Sequence, residues 1–343
     1  MNKNIAVLGA GSWGATLSAL LSEKGMAVTL WEFNPEQAKQ LSSWRALSFF
    51  PHLTIPKDIV ITSDLKSAAD NKDIIIFAVP SHTLRNVARN LQSAGAGLSN
   101  AVFVSATKGI ENDTLMTMTG IISQEIPGAS SQIAALSGPT HAEEVSQKIA
   151  TSAVAASQNA ETARLCQEIF TTAFFRVYTR NDLRGVETGA ALKNVFAIAA
   201  GVCDGLGLGD NTKAALVTRG LRELAKLGVK MGGQPSTYLG LTGLGDLIVT
   251  CFSRHSRNRA IGEKIGKGKS IGEAEKELVM IAEGVKTTKS AYDLGKKYGL
   301  ELPIIEQVYK VLYEGKNPKS AVNDLMMRKP KPESGDEEED MVL

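Results

Sequence analysis

The chain has little of what marks several protein classes. Its 343 residues include only three cysteines, Cys166, Cys203 and Cys251, and four histidines, His52, His82, His141 and His255. Cysteines in odd number and at these spacings fit neither a disulfide framework nor a zinc site, so free thiols in a reducing compartment are expected, and no metal. The formal net charge is only +2, so neither nucleic acid nor a membrane surface is an expected partner. No apolar run reads as long enough to span a bilayer, and the first apolar stretch, Ile5 to Leu8, is too short for a signal peptide. A cytoplasmic location is the expectation that remains.

What is present suits a packed globular protein of more than one domain: 43% of residues are hydrophobic and 22% charged. The charge is uneven. Residues 329–343 hold six acids and two lysines, which leaves a positive surplus on the body that would suit an anionic ligand.

Short apolar runs punctuated by glycine read as buried strands at Ile5–Leu8, Val28–Trp31, Ile59–Ile61, Ile74–Val79, Ala101–Ser105, Ile133–Leu136, Thr151–Ala155 and Phe174–Tyr178. Helical segments lie between several of them, beginning with Ser12–Lys24, and such alternation argues for a doubly wound sheet. Beyond Thr179 the pattern is helical, at Asp182–Asp204, Thr212–Met231, Ile261–Lys267, Ile271–Glu277, Thr287–Tyr298 and Pro303–Glu314. Three regions are therefore expected: 1–180 for a dinucleotide, 181–328 helical, and 329–343 a disordered acidic tail.

Gly9, Gly11 and Gly14 form G-x-G-x-x-G between the first strand and the first helix. The three glycines serve a tight turn, close approach of a pyrophosphate and close packing of helix on strand. The helix N-terminus offers amides and a dipole to the phosphates. Glu32 ends the second strand, where a carboxylate accepts from ribose hydroxyls and repels a 2′-phosphate. A solvated loop acid is the competing reading. No arginine follows before Arg45, so NAD(H) is the expected preference, with NADP(H) left open.

Three further segments combine glycine with charge: Lys108-Gly109 past a strand end, the turn Ser137-Gly138-Pro139-Thr140, and Glu187 to Phe196 around Lys193. Lys193 stands in a small, apolar helical stretch. It either snorkels to water or, if buried near another cation, becomes a usable acid or base.

Taken in order, these segments resemble the bacterial-type NAD(P)-dependent sn-glycerol-3-phosphate dehydrogenase family. The resemblance runs from Ile5 to about Pro318 and also rests on Val79–His82, Thr218–Leu221, Gly243–Asp246 and Ser256–Asn258. It implies an α/β Rossmann domain followed by an all-α domain. The implied reaction interconverts dihydroxyacetone phosphate and sn-glycerol 3-phosphate, which feeds glycerophospholipid synthesis. Residue by residue, it implies that Lys193 is the proton donor and acceptor at the substrate's C2 oxygen, oriented by Asp246. Lys108 is implied to contact substrate and cofactor. Gly138, Thr140, Asn194, Ser256, Arg257 and Asn258 resemble the substrate shell, and Ser12, Trp13, Phe49, Ala142, Arg257 and Glu283 the cofactor contacts. An arginine fork suits the substrate phosphate, although a basic surface loop is the plainer reading of Ser253 to Arg259 as a whole. A homodimer is left open. Two alternatives remain: another dehydrogenase of the β-hydroxyacid and 6-phosphogluconate type, or a nucleotide-sensing Rossmann protein without chemistry.

Overall fold

The structure is a computed structural model, and it describes residues 3–277, 282–330, 332 and 333. The run Asp336 to Asp340, expected to be disordered, lies outside the described residues. By internal contacts the chain divides into two units. The first holds the residues up to Lys108 and Thr117–Leu183; the second holds Gly109–Met116 and the residues from Arg184 onward.

The strands of the first unit are β1 (Asn4–Leu8), β2 (Ala27–Trp31), β3 (Ala46–Leu47), β4 (Phe50–Thr54), β5 (Val60–Thr62), β6 (Ile74–Phe77), β7 (Val102–Ser105), β8 (Ile133–Ser137), β9 (Thr151–Ala156) and β10 (Phe175–Arg180). Its helices are α1 (Ser12–Glu23), α2 (Pro35–Trp44), α3 (Leu65–Ala69), α4 (Leu84–Ser93), α5 (Met118–Glu125), α6 (Ala142–Ser146) and α7 (Ala160–Phe170). Eight strands form one sheet in the order β10-β9-β8-β7-β6-β1-β2-β5. Counted from β1 through β2, β5, β6, β7 and β8, that is the 3-2-1-4-5-6 order of dinucleotide-binding sheets, with its switch point between β1 and β6. These strands run parallel, and β9 then pairs antiparallel to β8. From Ile5 to Leu8 and from Ile74 to Phe77 every side chain is buried, which is why both read as continuous apolar runs. The short hairpin β3–β4 stands apart from the main sheet. Its sequence, with Pro51 inside, carries no alternation that announces a strand.

The second unit is helical: α8 (Leu183–Gly205), α9 (Asp210–Lys230), α10 (Pro235–Tyr238), α11 (Asp246–Phe252), α12 (Arg257–Gly266), α13 (Ile271–Lys276), α14 (Glu283–Lys297), α15 (Pro303–Tyr313) and α16 (Pro318–Met326). The expectation that no apolar run could span a bilayer needs correction. α8 is long and apolar enough by length and composition, yet its apolar stretch is buried within the protein. Residues 185–203 along it are all buried, the mark of a core helix that is apolar all round. Burying Leu192, Val195, Phe196 and Ile198 is worth about 1.5–3 kcal/mol each. Helix α12 crosses α8 backbone to backbone. A Cβ on Gly201 would lie 1.9 Å from the Arg259 carbonyl, and one on Gly262 would lie 2.0 Å from that of Ile198.

Glu223 of α9 shows how these helices dock. No side chain caps α15 at its own N-terminus, where Pro303 occupies the first turn. Instead the Glu223 carboxylate accepts from the amides of Ile304 (2.7 Å) and Ile305 (3.1 Å). These are two of the donors a helix start leaves unsatisfied. Burial pushes the Glu223 carboxyl up to about 8, while the two amides and the charges of Arg328 and Lys226 pull it down. Since the folded value lies above the unfolded one, the contribution is full in acid and is lost as pH rises toward 8. Glu223→Gln keeps an acceptor but cannot ionise. Between about pH 5 and 8 the wild-type denaturation midpoint should fall relative to that of Glu223→Gln. Parallel curves would show that Glu223 does not titrate in this range.

Candidate active site

Each unit gathers part of the residues singled out by sequence. In the first, the Gly9–Gly14 loop runs from β1 into α1 at the sheet's switch point. Gly9 has φ +112°, and a Cβ on it would lie 2.7 Å from the Ala78 carbonyl, just past β6. A Cβ on Gly14 would meet the Gly9 carbonyl at 1.9 Å, whereas one on Gly11 would meet nothing within 4 Å. The loop is thus closed against protein at its outer glycines and open at the middle one, where a pyrophosphate needs room. Gly11 precedes α1 without a side-chain cap. Ser12 is buried, and Trp13 packs by the core with its ring 6.4 Å from that of Phe175. These features fit a dinucleotide.

Glu32 directly follows β2, half-buried, and its Oε1 accepts from the Asn34 amide at 3.0 Å. Burial holds its carboxyl above the ordinary range, opposed by the amides of Asn34 and Ala10. The Ala10 contact puts this carboxylate at the glycine loop itself. Arg45 is engaged elsewhere: its guanidinium donates to the carbonyls of Ser42, Pro56 and Ile59. Phe49 occupies the β3–β4 turn, exposed, and Ala142 opens α6, which packs on α1 and β4. Past β7, Lys108 Nζ donates to the Gly138 carbonyl (2.9 Å), which also accepts from the Thr140 hydroxyl (3.2 Å). Gly138 itself has φ +143°.

In the second unit Lys193 is 5% exposed and Asp246 1%. Lys193 Nζ lies 2.5 Å from Asp246 Oδ1 and 2.6 Å from Thr250 Oγ1. The Thr250 hydroxyl gives its proton to the Asp246 carbonyl (2.5 Å), so its oxygen accepts from the lysine. Of the two sequence readings, snorkelling to water is ruled out by this burial. The charge partner found is a carboxylate. Thr250 was missed by the sequence reading, and its only signal is its position one helical turn after Asp246. A π-helical segment, Leu241–Gly245, delivers Asp246 to α11.

Asn258 joins a second cluster. Its Nδ2 donates to Asn194 Oδ1 (2.9 Å), and its Oδ1 accepts from the Gly284 amide (2.8 Å). Glu283 is therefore adjacent to this cluster at the start of α14. Ser256 caps α12 by accepting from the Arg259 amide, and Arg257 is exposed at the helix's first position. The reading of Ser253 to Arg259 as a basic surface loop needs partial correction. Arg259 is half-buried, donates to the Ser253 carbonyl and pairs with Asp204, whose carboxylate also holds Lys213 at 2.6 Å. The three cysteines are free and buried, and burial pushes Cys166, Cys203 and Cys251 up to about 12, 11 and 12. Their thiols are therefore inert at neutral pH. Among the described residues no group of three or more His, Cys, Asp or Glu could hold a metal ion.

A sheet of this order, a glycine loop at its switch point and a buried lysine–carboxylate pair in a helical unit define a nicotinamide-dinucleotide dehydrogenase. The sequence profile described as NAD-dependent glycerol-3-phosphate dehydrogenase N-terminus matches residues 4–163, and the C-terminus profile matches residues 182–323. The chain belongs to the NAD-dependent glycerol-3-phosphate dehydrogenase family. A Fusobacterium nucleatum relative named glycerol-3-phosphate dehydrogenase (NAD(P)+) is 50% identical over 94% of this chain and 96% of its own. The crystal structure of a Coxiella burnetii glycerol-3-phosphate dehydrogenase is similar with a TM-score of 0.88, 33% identity, and 95% of this chain and 99% of that one covered. The yeast enzyme structure is similar at 27% identity and a TM-score of 0.80, covering 96% of this chain and 100% of the other.

Proposed function

We propose that this chain is an NAD(P)-dependent sn-glycerol-3-phosphate dehydrogenase that reversibly converts dihydroxyacetone phosphate to sn-glycerol 3-phosphate. The observation that carries this reading is the buried ammonium of Lys193, fixed by Asp246 and Thr250.

Reduction of a ketone leaves an alkoxide, which needs a proton and a positive field. A reduced nicotinamide dinucleotide, held when bound at the Gly9–Gly14 loop, would supply the hydride to C2. Lys193 gives a proton to the C2 oxygen, and in the reverse direction it takes the proton back. Asp246 and Thr250 aim the ammonium, and Lys108 adds positive charge toward substrate and cofactor. Arg257 grips the phosphate with a two-pronged guanidinium, a geometry a lysine cannot supply. Gly138, Thr140, Asn194, Ser256 and Asn258 complete the substrate shell. The cofactor falls to Gly9, Gly11, Ser12, Trp13, Gly14, Glu32, Phe49, Lys108, Ala142, Arg257 and Glu283. By this reading residues 1–180 form the Rossmann dinucleotide-binding domain and 181–328 the helical substrate and catalytic domain. A water-soluble phosphate ester as substrate suits a cytoplasmic enzyme.

Oxidation of NADH and of NADPH, followed by absorbance with dihydroxyacetone phosphate, tests this directly. Turnover should need the phosphorylated ketone, and unphosphorylated dihydroxyacetone should be a far poorer substrate. A nucleotide sensor would give no turnover. Comparable kcat/KM for oxidation of a β-hydroxyacid would move the enzyme to the rival dehydrogenase class.

A further inference from the structure

We propose that Tyr238, through its hydroxyl, is a positioning residue that sets where Asp246 stands against Lys193. The inference rests on the assignment of Lys193 as acid and base and adds a residue to that reading.

Tyr238 is the last residue of α10 and is fully buried. Its hydroxyl lies 2.9 Å from Thr188 Oγ1 on α8. The direction of this bond follows from the threonine. The Thr188 hydroxyl donates back along its own helix, to the carbonyl of Arg184 (2.9 Å) or Gly185 (3.2 Å). Its single proton is thereby used, so Tyr238 is the donor and Thr188 the acceptor.

The phenol is held in a slot that leaves it no other place. A Cβ on Gly228 would lie 2.2 Å from the Tyr238 hydroxyl, and one on Gly233 would lie 2.0 Å from it. From Tyr238 the chain passes through Leu239 and Gly240 into the π-helical segment and reaches Asp246. Two attachments therefore join α8 to this stretch: Thr188 to Tyr238 at one end, and Lys193 to Asp246 and Thr250 at the other. Between them the backbones nearly touch, since a Cβ on Gly189 would lie 2.6 Å from the Thr242 carbonyl. Three of the six residues from Gly240 to Gly245 are glycines, and the side chains that anchor the stretch are Thr242, buried, and Leu244, packed on the core, so the tyrosine bond adds a fixed point at its start. π-helical turns are uncommon and need such support from their surroundings.

The chemistry gives the device a readable signature. A carboxylate near an ammonium favours its charged form. If Asp246 relaxes away from Lys193, the ammonium is less favoured. In the ketone-reducing direction activity needs that ammonium, so the alkaline limb of the kcat profile should move to lower pH. A loss of packing alone would lower thermal stability and leave this limb in place.

The test uses Tyr238→Phe, which keeps the ring and removes the donor, and Thr188→Val, which keeps the shape and removes the acceptor. Each should lower kcat roughly tenfold, because small misplacements of reacting groups are costly, while KM for both substrates stays within about twofold. Each should shift the alkaline limb downward, and the double variant should do no more than either single one. A wild-type kcat and pH profile in either folded variant, with only a lower melting temperature, overturns the proposal. So does additivity of the two effects. Lys193→Ala, run alongside, separates the two readings. If it is active, the acid–base assignment fails and the positioning role falls with it. If it is inactive while Tyr238→Phe has the wild-type profile, only the positioning role falls.

Discussion

Lys193→Ala is expected to lower kcat by roughly 10²–10⁴, the range for loss of a general acid, with dinucleotide affinity almost unchanged. The structure adds a second expectation. Asp246 is 1% exposed, and removing its ammonium leaves a buried carboxylate without that cation. Breaking a buried ion pair in this way typically costs about 3–5 kcal/mol. The variant should therefore melt earlier than wild type, and its kcat has meaning only below that temperature and with an unchanged circular dichroism spectrum. Lys193→Ala combined with Asp246→Ala removes both charges. It should recover much of the stability and none of the activity. That split between stability and turnover distinguishes a reacting lysine from one that merely neutralises Asp246. A folded Lys193→Ala enzyme with near-normal kcat would end the assignment.

The second large effect is on cofactor choice. Glu32 should make the enzyme prefer NADH to NADPH by roughly tenfold to a hundredfold in kcat/KM, the worth of one charged hydrogen bond of about 1.5–3 kcal/mol. The carboxylate lies at the glycine loop through Ala10, and the arginine nearest in sequence, Arg45, is held by three backbone carbonyls. No relief for a 2′-phosphate comes from that side chain as it stands. Glu32→Arg should shrink or invert the ratio while leaving kcat with the preferred cofactor largely intact. pH offers an independent check. Burial raises the Glu32 carboxyl above its ordinary value, so it takes up a proton earlier as pH is lowered. Like-charge repulsion then weakens, and the NADH preference should narrow in acid. Equal use of both cofactors by the wild type, or a ratio unmoved by Glu32→Arg, would return Glu32 to an ordinary acid near solvent.

The centre of the sheet, β1 and β6 to β8, was legible because these strands are buried on both faces and read as apolar runs. The rest was less so. β4, outside the main sheet, carries a proline and pairs only with β3, and β9 reverses direction next to β8, which no local pattern signals. The lysine of the reaction centre stood out in sequence because it interrupts a helix of small apolar residues. Its surroundings did not, since Asp246 is 53 positions away and Thr250 is 57. Tertiary contacts at that distance leave no periodicity. Arg259 shows the opposite failure. It looked like part of an exposed basic run, yet the glycine-lined crossing of α8 and α12 brings it onto Asp204. The stretch Leu241–Gly245 was unreadable for a related reason: glycine signals a turn by propensity, and only packing made it helical.

Residues 109–116 belong to the helical unit although the chain enters that unit for good only at Arg184. Ile110 is buried in its core, and the Ser290 hydroxyl donates to the Ile110 carbonyl 180 positions upstream. On the ribosome this short strap, anchored by Ile110, emerges long before α14, the helix that will cover it, and must wait until that helix has been made. The helical unit therefore cannot mature as an independent module. A fragment begun at Arg184 would lack a piece of its own interior, and expression of the two halves as separate chains would succeed only if the strap travelled with the first and was donated to the second.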